Sequence, residues 1–167
     1  MRINIKLLKY KETIIDLPFF LYRRQNISKI NKYKKLYFLL QSYLIVFLFK
    51  LLDRNRFCAA MNLFFGSDGK LSYDKSKDLY VKNFKGALIY YPNKYRISGS
   101  MVNHQFELDN LLYSYNLDNF DITNGDTVID CGANVGSLYM AIKQYEKNIT
   151  YIAYEPDSKV NLCLRLN

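Results

Sequence analysis

Residues 130–136 and Glu155 are the positions whose types and spacing could do chemistry. Asp130-Cys-Gly-Ala-Asn-Val-Gly136 combines a carboxylate with two glycines, and Glu155 follows Gly136 by nineteen residues. A glycine-containing turn that ends a strand and opens a helix lets the backbone approach a ligand closely. An acidic residue about twenty positions further on accepts hydrogen bonds from ribose hydroxyls in nucleotide-binding α/β folds. The pattern therefore predicts a site for a nucleotide-like ligand.

The turn departs from two common phosphate-binding motifs. A dinucleotide fingerprint reads G-x-G-x-x-G, whereas this chain has Gly132-x-Asn134-x-Gly136 followed by serine. No G-x-x-x-x-G-K-[ST] occurs, which excludes a P-loop. Asp130 at the strand end would repel a pyrophosphate. It would suit a ligand with an ammonium group, such as the amino-acid end of S-adenosylmethionine.

A β-α-β-α unit is predicted to position this turn. Residues 127–130 and 150–154 have the composition of buried strands, residues 137–147 that of a helix, and a second helix begins at Ser158. This order predicts two adjacent parallel strands and an α/β, Rossmann-like fold.

Shorter elements are predicted before this unit. Residues 66–78 are typical of a loop, and residues 79–81, 87–91 and 95–97 of strands. The turn at 92–94 predicts that the last two strands form an antiparallel hairpin. Residues 103–116 have the spacing of a helix, with Asn103 as its N-cap.

The motif resembles the FkbM family of S-adenosylmethionine-dependent methyltransferases. The matching residues are Val128-Ile-Asp-Cys-Gly-Ala-Asn-Val-Gly136 and Ala153-Tyr-Glu-Pro156. The resemblance extends more weakly over residues 87–118 and does not cover residues 1–60.

The resemblance implies an enzyme with S-adenosyl-L-methionine as its cofactor. Members mostly methylate hydroxyl groups of sugars or polyketide-type acceptors, and bacterial members often occur among genes for polysaccharide biosynthesis. Transferred residue by residue, the methionine end of the cofactor would be held by Asp130, Gly132, Ala133, Asn134 and Gly136, and the ribose by Glu155. The acceptor would be a small molecule or glycan, and the catalytic residues stay unassigned.

The chain is expected to contain only the start of such a fold. The prediction is a truncated Rossmann-like class I methyltransferase fold, with an incomplete cofactor domain over 119–167 and a hairpin and helix over 79–118. A basic, apolar helical segment over 1–65 precedes them. A complete methyltransferase sheet has further strands, so the 167-residue chain itself is expected to be inactive.

The net positive charge is confined to the N-terminal part of the chain. Residues 1–60 hold 13 Lys and Arg against 3 Asp and Glu, whereas the remaining residues hold 11 against 12. The uncharged run at 36–49 is shorter than a membrane span of about 20 residues needs. Three alternatives stay open for residues 36–52: a helix packed on protein, a helix on an anionic membrane surface, or a span.

Composition argues against several other classes. One histidine, His104, and three cysteines without a C-x-x-C pair argue against a metal site and a disulfide scaffold. His104 is predicted to be structural, Glu107 to lie on a solvated helix face, and Cys131 to be a small packing residue. A neutral body without a recognisable module argues against nucleic-acid binding.

We expect a cytoplasmic protein, with residues 32–56 as a peripheral contact with the inner membrane. The alternative function is a non-catalytic membrane-surface or scaffold protein of polysaccharide assembly with a vestigial turn.

Overall fold

The computed structural model describes residues 32–167, which are a mixture of helices and two small sheets. The chain divides into two compact units, residues 1–53 and residues 54–167. Of the first unit the structure describes one helix, α1 (Lys32–Leu51). The predicted segment 1–65 crosses this division, because the next helix, α2 (Arg54–Phe65), belongs to the second unit.

Helix α1 confirms the helical interpretation of the apolar run and extends it by several residues at its N-terminal side. Ser42, Ile45 and Phe49 are buried along it, at the i, i+3, i+7 spacing of one helix face. No helix among the described residues combines the length and the apolar character that crossing a membrane requires.

A three-stranded antiparallel sheet opens the second unit. It consists of β1 (Lys70–Asp74), β2 (Leu79–Phe84) and β3 (Ala87–Tyr91), with β2 in the centre. The predicted loop over 66–78 is therefore only partly correct, since β1 occupies its middle. The side-chain amide of Asn62 on α2 fixes that strand by bonding both the N–H and the carbonyl of Leu71, at 2.7 and 2.8 Å.

The predicted strand at 95–97 is wrong, and so is the hairpin around Pro92. These residues lie in helix α3 (Lys94–Val102), because the side chain of Asn93 accepts hydrogen bonds from the N–H groups of Tyr95 and Arg96. The hairpin partner of β3 is β2 instead, with Phe84 opposite Ala87. Helix α4 (His104–Ser114) follows, and Asn103 caps it as predicted.

The second sheet contains β4 (Thr127–Cys131) and β5 (Thr150–Tyr154), which pair in parallel as predicted. Helix α5 (Ser137–Ile142) connects them and ends in a 3-10 turn over Lys143–Tyr145, and helix α6 (Ser158–Leu166) follows β5. Leu108, Leu112 and Ala141 form a buried cluster between α4 and α5. The sheet faces α5 with Tyr151, whose ring lies 5.0 Å from that of Tyr139. Its other face exposes Ile129, Ile152 and Tyr154.

Candidate functional site

The strand-turn-helix segment around Gly132 has a backbone conformation that its residue types allow. Gly132, Asn134 and Gly136 have φ values of +88°, +51° and +85°, in the left-handed region. Glycine enters this region at no steric cost, and asparagine tolerates it better than most residues. Gly132, Asn134 and Gly136 therefore stand at the three positions where the turn needs a left-handed backbone.

The two glycines differ in what surrounds them. A Cβ at Gly132 would have no heavy atom within 4 Å, so that side of the turn is open to a ligand. A Cβ at Gly136 would lie 3.0 Å from Leu164 Cδ1. Gly136 thus permits a close approach to helix α6, rather than the helix–strand approach that a glycine at this position suggests.

Four N–H groups of the turn already have acceptors inside the protein. Gly132 and Ala133 donate to the carbonyl of Tyr154, at 2.8 and 3.0 Å, and Gly136 donates to the carbonyl of Ala133 at 2.9 Å. The N–H of Asn134 donates to Glu155 Oε2 at 2.9 Å. The side chain of Ala133 is buried, so its contribution to the site is its backbone. The turn is therefore tied to the end of β5, and these donors do not form an open cradle for phosphate.

Glu155 joins the two halves of the candidate site. Its second carboxylate oxygen, Oε1, accepts from the N–H of Asp157 at 3.0 Å, and Asp157 in turn caps helix α6. Each carboxylate oxygen can accept a further hydrogen bond, since an ionised carboxylate offers about four lone-pair positions. Glu155 thus has a structural contact with the turn and capacity for a ligand hydroxyl.

Asp130 lies one position before the end of β4 and is buried, with 9% of its surface exposed. Its carboxylate accepts a hydrogen bond from the hydroxyl of Tyr151 on the neighbouring strand. Burial raises the pKa of that hydroxyl, and the bond to Asp130 raises it further. Sequence reasoning missed Tyr151, because a tyrosine in a strand is most simply explained by packing.

Asn134 contributes an unsatisfied group to the turn. Its Oδ1 atom is buried and has no hydrogen-bond partner among the described residues. Buried carbonyl oxygens are normally paired, so an orphaned one is an exception that calls for a partner. A ligand donor or a water would satisfy it.

A hollow of about 310 Å³ opens beside Glu155. It is lined by Glu155, Pro156 and residues of helix α6, namely Ser158, Asn161, Leu162 and Arg165. Cofactor pockets enclose most of their ligand with apolar side chains and a few placed polar groups. These six residues give the hollow a lining of polar and apolar side chains that is open to solvent.

A second polar cluster connects the three-stranded antiparallel sheet with helices α3 and α4. Sequence reasoning did not predict it. Lys82 is fully buried, and its ammonium donates to Asp68 at 2.6 Å and to the carbonyl of Ser100 at 2.5 Å. Burial lowers the pKa of Lys82. The hydroxyl of Ser100 bonds Tyr91 at 2.5 Å and His104 Nδ1 at 2.7 Å.

The contacts of this cluster account for the surroundings of His104 and Glu107. His104 is buried at the start of α4 and donates its backbone N–H to Asp68 at 2.7 Å. Glu107 is not on a fully solvated face, since its Oε2 is buried 3.7 Å from His104 Nδ1 and has no hydrogen-bond partner among the described residues. All these contacts connect the three-stranded sheet, helices α3 and α4, and the turn that contains Asp68. The cluster therefore stabilises the scaffold, and none of its contacts involves the turn.

The three cysteines differ in their exposure to solvent. Cys58 and Cys163 are buried, and burial raises the pKa of the Cys163 thiol to about 11. Cys131 is exposed, so it is not the packing residue that the sequence suggested. Among residues 32–167 no group of His, Cys, Asp or Glu has the arrangement of a metal site.

Comparison of the chain with protein-family models, curated proteins and solved structures finds no match. A functional interpretation therefore depends on the residues of the turn and on their geometry.

Proposed function

We propose that residues 119–167 form a cofactor-binding unit of the kind that S-adenosylmethionine-dependent methyltransferases with a Rossmann-like fold contain. The observation that carries this proposal is the hydrogen bond between Glu155 and the N–H of Asn134. It brings the carboxylate at the end of β5 and the glycine turn after β4 into one site, although 21 residues separate them.

The electrostatics favour a cationic ligand over a polyphosphate. Two carboxylates, Asp130 and Glu155, lie at the ends of the two strands, and the turn N–H groups at 132, 133, 134 and 136 already have acceptors. A phosphate would meet negative charge there without the open nest of donors that it needs. S-adenosylmethionine carries a positive sulfonium and an ammonium, and its ribose offers hydroxyl donors.

Each residue would have a separate role toward this cofactor. Asp130 would attract the ammonium end, Gly132 would let the ligand approach the backbone, and Asn134 would line the turn with its unpaired oxygen. Glu155 would accept hydrogen bonds from the ribose. When bound, the cofactor supplies an electrophilic methyl group, and the protein holds it in position for an acceptor hydroxyl of a sugar or similar molecule.

Binding to this chain is expected to be weak, with a dissociation constant no tighter than about 1 mM, or roughly −4 kcal/mol. The hollow beside Glu155 is open to solvent, and affinity for nucleotide-like ligands comes from enclosing most of their surface. Methyl transfer is not expected, because an open hollow does not hold an acceptor hydroxyl in line with the methyl group.

Amide NMR tests the proposal at such affinities. S-adenosylhomocysteine, which lacks the reactive methyl group, should shift the amide signals of Gly132 and Asn134 at millimolar concentration, and ATP should not. Gly132→Val should abolish the shifts, because its side chain fills the open side of the turn. Gly125→Val is a matched control, because that position also has open space and a positive φ but lies before β4. Equal shifts with ATP, or none with S-adenosylhomocysteine, would contradict the proposal.

A further inference from the structure

Helix α1 exposes a continuous stripe of large apolar side chains. Its members are Tyr37, Leu40, Tyr43, Leu44, Phe47 and Leu51, each between 47% and 65% exposed. At 3.6 residues per turn these six positions fall within an arc of roughly 120°. We refer to them as the α1 stripe.

The opposite side of the same helix is buried. Ser42, Ile45 and Phe49 are at most 6% exposed and lie on the arc that faces away from the α1 stripe. The helix therefore has one face that is already covered and one apolar face that is open to solvent. A membrane span would need lipid contact all around, whereas a one-sided apolar face fits an interface.

The charge around the helix indicates what kind of surface would cover the stripe. Residues 1–60 carry 13 basic against 3 acidic residues. Lys50, the last residue but one of α1, is exposed and lies on the border of the stripe by helical register. Exposed Arg54 and Arg56 follow in the sequence. Basic residues beside an apolar stripe are complementary to an anionic lipid surface, where each adds to the attraction.

From this complementarity we propose that α1 lies on anionic lipid bilayers. The α1 stripe enters the boundary between head groups and acyl chains, and Lys50 contacts the phosphates. Tyr37 and Tyr43 have the amphipathic rings that are enriched at this depth of a membrane. This inference does not depend on the methyltransferase proposal, because it uses no residue of the turn.

A single introduced tryptophan tests the inference on the full chain, which contains none. In Leu44→Trp the emission should shift to the blue with phosphatidylglycerol vesicles and not with phosphatidylcholine vesicles. Leu63→Trp is the control, because Leu63 is 85% exposed on α2, outside the stripe. Its emission should not change with either vesicle. A shift of the same size in both variants, or with neutral lipid alone, would overturn the inference.

Sedimentation with vesicles tests the contribution of the stripe and of the charge separately. Leu44→Glu with Phe47→Glu should lower partitioning into phosphatidylglycerol vesicles at least about tenfold, because two charges then enter the apolar boundary. Leu63→Glu should bind like the parent chain, and circular dichroism should show equal helix content in all three. Raising the salt from about 0.1 to 1 M should release part of the protein, since the screening length falls from about 10 to 3 Å.

Two further outcomes would show that lipid does not cover the stripe. If the parent chain is a dimer without lipid and the double variant is a monomer, a second copy covers the stripe. If the double variant still sediments like the parent chain, the stripe is not the contact. Either result overturns the proposal.

Discussion

Replacing Glu155 tests whether one carboxylate ties the turn to the second strand. In Glu155→Ala the N–H groups of Asn134 and Asp157 lose their acceptor. A hydrogen bond to a charged group contributes about 1.5–3 kcal/mol when it is shielded from water. The bond to Asn134 is partly buried and the bond to Asp157 is exposed, so the first should dominate.

We therefore expect the opening free energy at Asn134 to fall by about 2 kcal/mol, which corresponds to roughly 30-fold faster amide exchange. Hydrogen exchange followed by NMR measures this residue directly, and urea unfolding measures the global effect. Glu155→Gln should show a smaller change at Asn134, because its one amide oxygen can still accept from one of the two N–H groups.

Glu146→Gln is the matched control, since Glu146 is exposed and lies before β5. It should leave the exchange of Asn134 unchanged. Unaltered exchange of Asn134 in Glu155→Ala would refute the argument that Glu155 holds the turn. It would also remove the observation on which the proposed cofactor site depends.

Two further predictions concern the scaffold. Asp68→Ala should lower the unfolding free energy by about 3–5 kcal/mol, because it leaves the buried Lys82 ammonium without its counter-ion. Lys82→Met should lower it much less. Equal losses of unfolding free energy in urea would contradict this prediction. The raised pKa of Tyr151 means that the unfolded chain ionises first, so stability should fall as the pH rises above about 10. Tyr151→Phe should show a smaller fall between pH 9 and 11, and an identical pH profile would refute the assignment.

The β4-α5-β5-α6 unit could be predicted from the sequence, because the residues that indicate each strand, turn and helix lie within that element and agree with one another. Short apolar strands, a glycine turn and a helical spacing occur in the order that a parallel pair requires, and β4 and β5 lie within one residue of their predicted bounds. Asp130, Gly132, Asn134, Gly136 and Glu155 could be selected because a turn and a strand end have recognisable residue types.

The errors have physical causes. Tyr95 and Ile97 favour strands by propensity, but the cap at Asn93 satisfies the first N–H groups of a helix and decides the conformation. Buried Lys82 could not be predicted, because its partner Asp68 lies 14 residues away and only the fold brings the two together.

The side chain of Asn167 has a consequence for the order of folding. Its amide bonds the N–H and the carbonyl of Tyr90 on β3, 77 residues earlier, and also the carbonyl of Val135 in the turn. Closing a loop of this length costs about 4 kcal/mol of chain entropy before any contact compensates for it. The β1-β2-β3 meander and the β4-α5-β5 unit need only short closures, so each should form early. We therefore expect their joining, through Asn167 and through the ion pair between Lys159 and Asp78, to follow the formation of each.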